Sequence, residues 1–294
     1  MEPSRNNSVQ RINLSPWKQG FEIISQLKAK MVYLSLVGMA IPLTVFEVQQ
    51  GTISQDFSNN FRSINGTLAP VEFFQYIAAI GDYIGQYGLS WVLMSWVLMP
   101  SYFIMVSLSC KAFDKDEDNL RGSTIEALKA VIPKGIIASI LLMTMMFFFS
   151  FLSVGLLGPI AQFILLIGLS LSCAVPFLIL NDKRRPLSAV WGAIKMNYAP
   201  NIRGMKWSIF FQLSSTQLFL IAIIISLAAA KHYIVDIDVF LNFPRDSWFS
   251  MSPWLPFSWT YLLAHFIYTF LVGIAVMGFA AVTSTFFMMI KKLV

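Results

Sequence analysis

The most constraining feature of this sequence is the length of its uncharged apolar stretches. Residues 135–180 contain no Asp, Glu, Lys or Arg, and residues 259–290 also lack them. A helix needs about 20 predominantly apolar residues to cross a bilayer, so each stretch is long enough to do so. Only 12% of the 294 residues are charged, against about 25% in a typical soluble domain. The chain is therefore predicted to be an all-α integral membrane protein.

Hydropathy predicts six transmembrane helices. The third and fourth are separated only by Gly158 and Pro159, which predicts a tight hairpin. The first is short and is expected to begin as early as Leu27, whereas the last is long enough to tilt or protrude. The six spans lie near 31–48, 89–109, 135–157, 159–180, 207–230 and 259–290.

Lysine and arginine are concentrated on one side of these spans. Eighteen of the 21 lie in the segments 1–30, 111–134, 183–206 and 291–294. Because basic loops remain on the cytoplasmic side, both termini are predicted to be cytoplasmic in a bacterial inner membrane. This organisation comprises a cytoplasmic N-terminal segment (1–30), a six-span membrane domain (31–290) and a cytoplasmic tail (291–294). The net charge of +6 thus reports topology, and no nucleic-acid partner is predicted.

A short amphipathic helix is predicted on the cytoplasmic side before each odd-numbered span. After Pro186, the residues Leu187, Val190, Trp191 and Ile194 have the spacing of one helical stripe. Helices of this kind lie among lipid headgroups with their apolar side toward the hydrocarbon. The corresponding stripes before spans one and three are Trp17, Phe21, Ile24 and Leu27, and Ile125, Leu128 and Ile132.

The basic turn before Pro186 is predicted to contact anionic lipid headgroups. A Lys or Arg near such a surface contributes about 1 kcal/mol. Membrane lipids are therefore the expected partners, while a protein partner or a homo-oligomer is left open. The residues predicted to lie at the membrane surface are Lys183, Arg184, Arg185, Trp191, Lys195 and Trp17.

The stretch 174–197 has the sequence AVPFLILNDKRRPLSAVWGAIKMN. It begins with an apolar run, continues with a short segment of acidic and basic residues, and ends with a predicted short helix rich in Ala and Leu. This pattern resembles the YciC-like group, which is related to the membrane domain of some glycerophosphodiester phosphodiesterases. With the six spans and surface helices, the resemblance extends over most of the chain. It implies an accessory membrane module. The phosphodiesterase catalytic domain is not expected, because no soluble segment is long enough to hold it.

Few residues offer chemistry inside the predicted spans. His265 is the only ionisable residue well inside one, and Glu47 stands at the outer end of span one. His265, Gln212 and Gln217 are the candidate intramembrane polar site. Packing and interhelical hydrogen bonds are the simpler interpretation, and a proton relay is the alternative. No GxSxG, HExxH, Walker or CxxC motif occurs, so no catalytic residue, metal or cofactor is predicted.

Two segments outside the predicted spans have local patterns of their own. After Pro70, the stretch VEFFQYIAAIGDYIG has helical spacing and is expected to lie along the outer surface. Asp236 and Asp238 alternate with Ile and Val, which allows a short strand.

Together these patterns predict a non-enzymatic accessory or scaffold protein of envelope or lipid homeostasis, or a subunit of a larger membrane complex. A transporter for an apolar or lipid-like solute is one alternative, using Pro42, Pro100 and Pro176, which interrupt spans one, two and four. It would need a polar-lined cavity between those spans. An intramembrane enzyme is the other alternative, and it would require His265 to meet a polar cluster in space.

Overall fold

The computed structural model describes residues 16–63, 70–114, 129, 134, 137, 175–180, 183–189, 191–192, 205–242 and 259–293. Every regular element within these ranges is helical, which confirms the predicted all-α class. The elements are α1 (Pro16–Ser35), a π-helical segment (Leu36–Ala40), α2 (Ile41–Ser63), α3 (Pro70–Phe113), α4 (Met205–Asn242) and α5 (Trp259–Leu293).

Three of the described helical segments are long and apolar enough to cross a membrane. They are Trp17–Ile53, Ser215–Val235 and Trp259–Met289, at the positions of predicted spans one, five and six. Part of span two corresponds to a shorter apolar stretch in α3, Val97–Phe113. Spans three and four fall almost entirely outside the described residues. The described part of the chain therefore supports a membrane protein with transmembrane helices.

Several predicted segments prove to be parts of longer helices. The amphipathic stripe before span one lies in α1, and no break separates it from the span. The helix after Pro70 likewise continues into span two as α3. The strand considered at Asp236 and Asp238 is wrong, because both residues are helical in α4. Alternation over a few residues favours a strand only weakly. Extension of an established helix is favoured more strongly, because each added residue forms one more hydrogen bond.

The π-helical segment is explained by Pro42. Proline lacks an N–H group, and its ring crowds the carbonyl four residues earlier, here that of Gly38. The wider turn at Leu36–Ala40 accommodates this mismatch without ending the helix. Gly38 also approaches α3 so closely that a Cβ on it would lie 1.7 Å from Ser101 Oγ. Pro100, by contrast, lies inside α3 without interrupting it.

The helix α5 is central to the described packing, since it contacts α1, the π-helical segment, α2, α3 and α4. It runs antiparallel to α1: a Cβ on Gly20 would lie 2.8 Å from Val282 Cγ2, and one on Gly278 would lie 3.6 Å from Ile24 Cδ1. Small residues permit this close approach. The largest fully buried side chains include Phe103, Met105, Leu108, Phe177, Leu178 and Met277.

Candidate functional site

Four ionisable side chains from three helices meet toward one end of the described helices. Glu47 lies on α2, Lys231 on α4, and Tyr261 and His265 on α5. We call these four residues the polar cluster. Each of them belongs to a segment long and apolar enough to cross a membrane. Ionisable residues in such segments are rare and usually mark functional sites.

A chain of hydrogen bonds connects the polar cluster. The Tyr261 hydroxyl donates to Glu47 Oε1. Lys231 Nζ lies 3.2 Å from the Tyr261 hydroxyl oxygen and 2.8 Å from His265 Nδ1. Because an ammonium group only donates, Nδ1 is assigned as the acceptor and Nε2 as the protonated ring nitrogen. Glu47 Oε1 is 4.0 Å from His265 Nδ1, which brings all four side chains within one contact network.

Aromatic rings complete the surroundings of the Lys231 ammonium group. Its nitrogen lies 4.4 Å from the centroid of the Tyr261 ring and 5.7 Å from that of Tyr268. The His265 ring stacks against Tyr261 with centroids 6.1 Å apart. Ring faces attract a cation, so the lysine charge is balanced by one carboxylate and two aromatic faces.

The polar cluster includes and adjoins buried groups that make no hydrogen bond of standard geometry within the described part of the chain. The Nε2 atom of His265 is buried and makes no hydrogen bond of standard geometry, although the Leu43 backbone is close enough to interact with the ring. Gln50, on the same side of α2 as Glu47, is 7% exposed. Among the described residues, neither the nitrogen nor the oxygen of its amide has a hydrogen-bond partner. Such buried groups are uncommon, and each one calls for an explanation such as a bound molecule.

Helical spacing explains part of this arrangement. Tyr261 and His265 are four residues apart and therefore share one face of α5. The helix α4 continues past residue 230, where span five was predicted to end, and so Lys231 lies within the helix rather than in an outer loop. Sequence reasoning therefore missed Lys231 and Tyr261. Their signals were a lysine inside the apolar stretch LAAAKHYIV and a tyrosine one turn from His265.

The two glutamines predicted to accompany His265 lie elsewhere on α4. Gln217 is 3% exposed and precedes Lys231 by 14 residues, or about 21 Å along a helix that rises 1.5 Å per residue. Gln212 precedes Lys231 by 19 residues, about 28 Å, and its side chain is outside the described part of the chain. The structure thus brings His265 together with the other three members of the polar cluster and not with Gln217.

A second feature, the apolar pocket, lies between α1, α4 and α5. Its volume is about 130 Å³, and Thr216 is the one polar side chain among its lining residues. The Trp17 and Phe219 rings meet edge to face at its wall, with centroids 6.4 Å apart. The residues that line the pocket include Trp17, Phe21, Ile24, Phe219, Ile223 and Gly278.

The basic turn predicted to contact headgroups is exposed. Lys183, Arg184 and Arg185 lie between the helical residues 175–180 and 186–189. Lys183 reverses the chain with a φ of 51°, in the left-handed region that non-glycine residues seldom adopt. Arg184 lies along the following helical residues, since a Cβ on Gly192 would be 2.5 Å from its Nη1. Lys183 and Arg185 are therefore the better placed of the three to reach a lipid surface.

The described residues after Pro186 direct large apolar side chains away from the protein. Leu187 is 72% and Trp191 60% exposed, whereas Ala189 is completely buried. The small residue thus packs inward and the large ones face outward. Trp17, the other predicted surface tryptophan, is half-buried at the apolar pocket. Lys195 lies outside the described residues.

The polar cluster is poorly suited to a metal ion. It contains one carboxylate and one imidazole beside an ammonium group, whose charge repels a cation. Across the ranges that the structure describes, no group of three or more His, Cys, Asp or Glu side chains could hold a metal.

Comparisons with protein-family models, with curated proteins and with solved structures find no match for this chain.

Proposed function

We propose that this chain is a non-enzymatic, multi-pass protein of a bacterial inner membrane that binds membrane lipid and serves lipid or envelope homeostasis as an accessory or scaffold protein. The observation that carries the proposal is the apolar pocket. Every residue lining it belongs to one of the three segments long and apolar enough to cross a membrane. Bilayer hydrocarbon is therefore the material that would lie beside it.

The volume of the apolar pocket selects the kind of occupant. About 130 Å³ is close to the roughly 150 Å³ of a dry cavity that holds benzene, and well below the roughly 300–1,000 Å³ of sites for drug-sized ligands. The pocket therefore suits a short segment of an acyl chain, with the rest of the lipid remaining in the bilayer.

Side chains at the rim of the apolar pocket fit a lipid better than water. Phe21 and Phe219 line it, and each is 58% exposed. Large apolar groups exposed together favour an apolar partner. Lys18, exposed beside Trp17, is placed to meet an anionic phosphate while the aromatic rings contact hydrocarbon.

The six-span topology with surface helices belongs to the same proposal. The packing of Gly20 against Val282 supports it, since α1 begins at the end of the bundle where α5 finishes, as expected for two cytoplasmic termini. The outward-facing Leu187 and Trp191 support an interfacial helix after Pro186. A lipid-associated accessory role also agrees with the resemblance of residues 174–197 to the YciC-like group.

Substitution of Gly278 tests whether the apolar pocket holds lipid. Gly278→Ala places a Cβ at ordinary contact distance, 3.6 Å from Ile24 Cδ1, and serves as the matched control. Gly278→Leu fills the pocket. Excluding about two methylene groups costs about 1.6 kcal/mol, so lipid retention should fall about fifteenfold. The measurement is native mass spectrometry after extraction in a lipid-preserving polymer.

Gly278→Ala should retain the lipid as wild type does, and a folded Gly278→Leu variant that retains the same lipid would contradict lipid binding in the pocket. A stoichiometric protein retained equally by wild type and both variants would instead identify the chain as a subunit of a larger complex. The fold of each variant is checked by circular dichroism before the comparison is made.

One observation favours the intramembrane-enzyme alternative: His265 does meet other polar side chains. Its Nδ1 is already bonded to Lys231, however, and Glu47 accepts a hydrogen bond from Tyr261. Because Lys231 donates to Nδ1, this nitrogen could act as a base only after that hydrogen bond is broken. If the His265→Gln variant fully restored the wild-type phenotype in a deletion strain, the enzymatic alternative would be excluded.

A further inference from the structure

We propose that Lys231 and Tyr261, oriented by His265, form a binding site for a carboxylate or phosphate group, and that Glu47 occupies this site in the present conformation and leaves it when an external anion binds. This inference is independent of the apolar pocket. It concerns residues farther along the same helices, toward the end that the charge distribution predicts to be non-cytoplasmic.

The donors of the polar cluster and its carboxylate come from different helices. Lys231 and Tyr261 lie on α4 and α5, and they are connected to each other and to His265 by contacts of 3.2 and 2.8 Å. Glu47 lies on α2 and is held by the Tyr261 hydroxyl and by electrostatic attraction to Lys231. The donor arrangement can therefore persist when the carboxylate moves away.

The charge of the donors determines the class of ligand. A phenol hydroxyl and an ammonium group form strong, charge-assisted hydrogen bonds with oxyanions. A Lys231 charge left alone in apolar surroundings would be strongly unfavourable. Replacement of Glu47 by another anion keeps this charge paired, which makes Glu47 an exchangeable occupant and favours an anion over a neutral solute as its substitute.

Access and unused donors both point to an external ligand. The Glu47 side chain is 25% exposed and that of His265 only 9%, so the carboxylate is the more accessible of the two. Beside it, both polar atoms of the Gln50 amide are buried without a hydrogen-bond partner among the described residues, and His265 Nε2 makes no hydrogen bond of standard geometry there. A phosphate group carries more acceptor oxygens than a carboxylate, and one of them could accept a hydrogen bond from the Gln50 amide nitrogen.

Tethering predicts how tightly an external anion binds. Glu47 competes from within the same molecule at an effective concentration in the millimolar range or above. The wild-type chain should therefore bind a free anion weakly. Removing the carboxylate in Glu47→Ala should strengthen apparent acetate binding at least about tenfold, since the tethered competitor is gone.

The experiment uses the full chain in nanodiscs of zwitterionic lipid. Its 8 tryptophans report thermal unfolding. Sodium acetate and, separately, inorganic phosphate are titrated against sodium chloride at equal ionic strength. In chloride, Glu47→Ala should have a lower unfolding midpoint than wild type. Acetate or phosphate should raise this midpoint again, and the increase should saturate with concentration. Nanodiscs containing phosphatidylglycerol distinguish the source, because a lipid headgroup would restore the midpoint without added anion.

Two variants show whether any recovery depends on the proposed site. Glu22→Ala removes an exposed carboxylate of α1 that is far from the polar cluster, and it should not respond to acetate. Glu47→Ala combined with Lys231→Met should also lose the response. If Glu47→Ala does not fold, Glu47→Gln replaces it, because the amide keeps the side-chain volume. No anion-specific recovery, or recovery that is equal in Glu22→Ala or persists without Lys231, would overturn the proposal.

Discussion

The helical pair α1–α2 meets α4 and α5 at two places that have opposite chemistry. Near the beginning of α1, the helices α1, α4 and α5 surround the apolar pocket. Farther along, the helices α2, α4 and α5 supply the side chains of the polar cluster. Ile223 lines the pocket and Lys231 belongs to the cluster, so the change takes eight residues, or about 12 Å of helix. The same set of helices thus provides a hydrocarbon surface and a charged site about two turns apart.

The difference follows from what each region must satisfy. Apolar walls have no hydrogen bonds to complete, so a gap between them remains available to a lipid chain. Buried charges are unfavourable unless they are paired, and Glu47 therefore occupies the donors of Lys231 and Tyr261. One site is left open while the other is filled by the protein itself.

The strongest test of this comparison is Lys231→Met. The change would leave Glu47 in apolar surroundings without its cation. Breaking a direct, fully buried pair costs about 3–5 kcal/mol. Here the Tyr261 hydroxyl bridges the two charged groups and Glu47 is 25% exposed, so the expected loss is about 2–3 kcal/mol. Reversible unfolding in mixed micelles with increasing dodecyl sulfate measures the free energy.

Pairing the substitution with Glu47→Gln provides the control. The double variant should regain most of the lost stability, because neither charge then remains alone. Lys18→Met, which removes an exposed lysine beside the apolar pocket, should change the free energy of unfolding by less than about 0.5 kcal/mol. If Lys231→Met behaved like Lys18→Met, the two regions would not differ in the way described.

A smaller loss is expected at the π-helical segment, which lies between the two regions. In Gly38→Ala, the new methyl group would lie 1.7 Å from Ser101 Oγ and 2.6 Å from Ser101 Cβ. Such overpacking typically costs about 1–3 kcal/mol, and we expect about 1.5 kcal/mol because the serine can shift. The same micelle titration measures the effect.

Two variants isolate the cause of that loss. Ser101→Gly in the Gly38→Ala background removes both clashing atoms and should restore stability. Gly81→Ala in α3 meets no atom within 4 Å, so it should stabilise the helix by up to about 1 kcal/mol. Gly38→Ala with unchanged stability would contradict the close approach of the π-helical segment to α3.

The smallest effect is expected at the basic turn and sharpens the assignment of the two ends. Arg185→Gln removes one charge that would face anionic headgroups and contributes about 1 kcal/mol, equivalent to about fivefold in lipid enrichment. Arg185→Lys should retain the enrichment. Quantifying phosphatidylglycerol co-purified in polymer discs measures it. Equal enrichment in both variants would show that this turn does not recognise anionic lipid.

The sequence predicted the class of the protein well because hydropathy is a local property. The stretch 259–290 has no charged side chain, and α5 covers all of it. Pro42 indicated a disturbance in span one, but a helix can accommodate the clash of a proline ring in several ways. The close packing of Gly38 against Ser101 accompanies a π turn instead of a break. The length of α4 was underestimated because a lysine usually marks the end of a span.

What the sequence determined by itself is therefore the helical membrane class and the positions of spans one, five and six. Only the tertiary structure decided which ionisable groups meet. Glu47 and Tyr261 are 214 residues apart, and Lys231 and His265 are 34 apart. Their contact depends on the register of three packed helices, which arises from close approaches such as that of Gly20 to Val282. A local pattern specifies which face of a helix a residue occupies, whereas the neighbour of that face is set by packing.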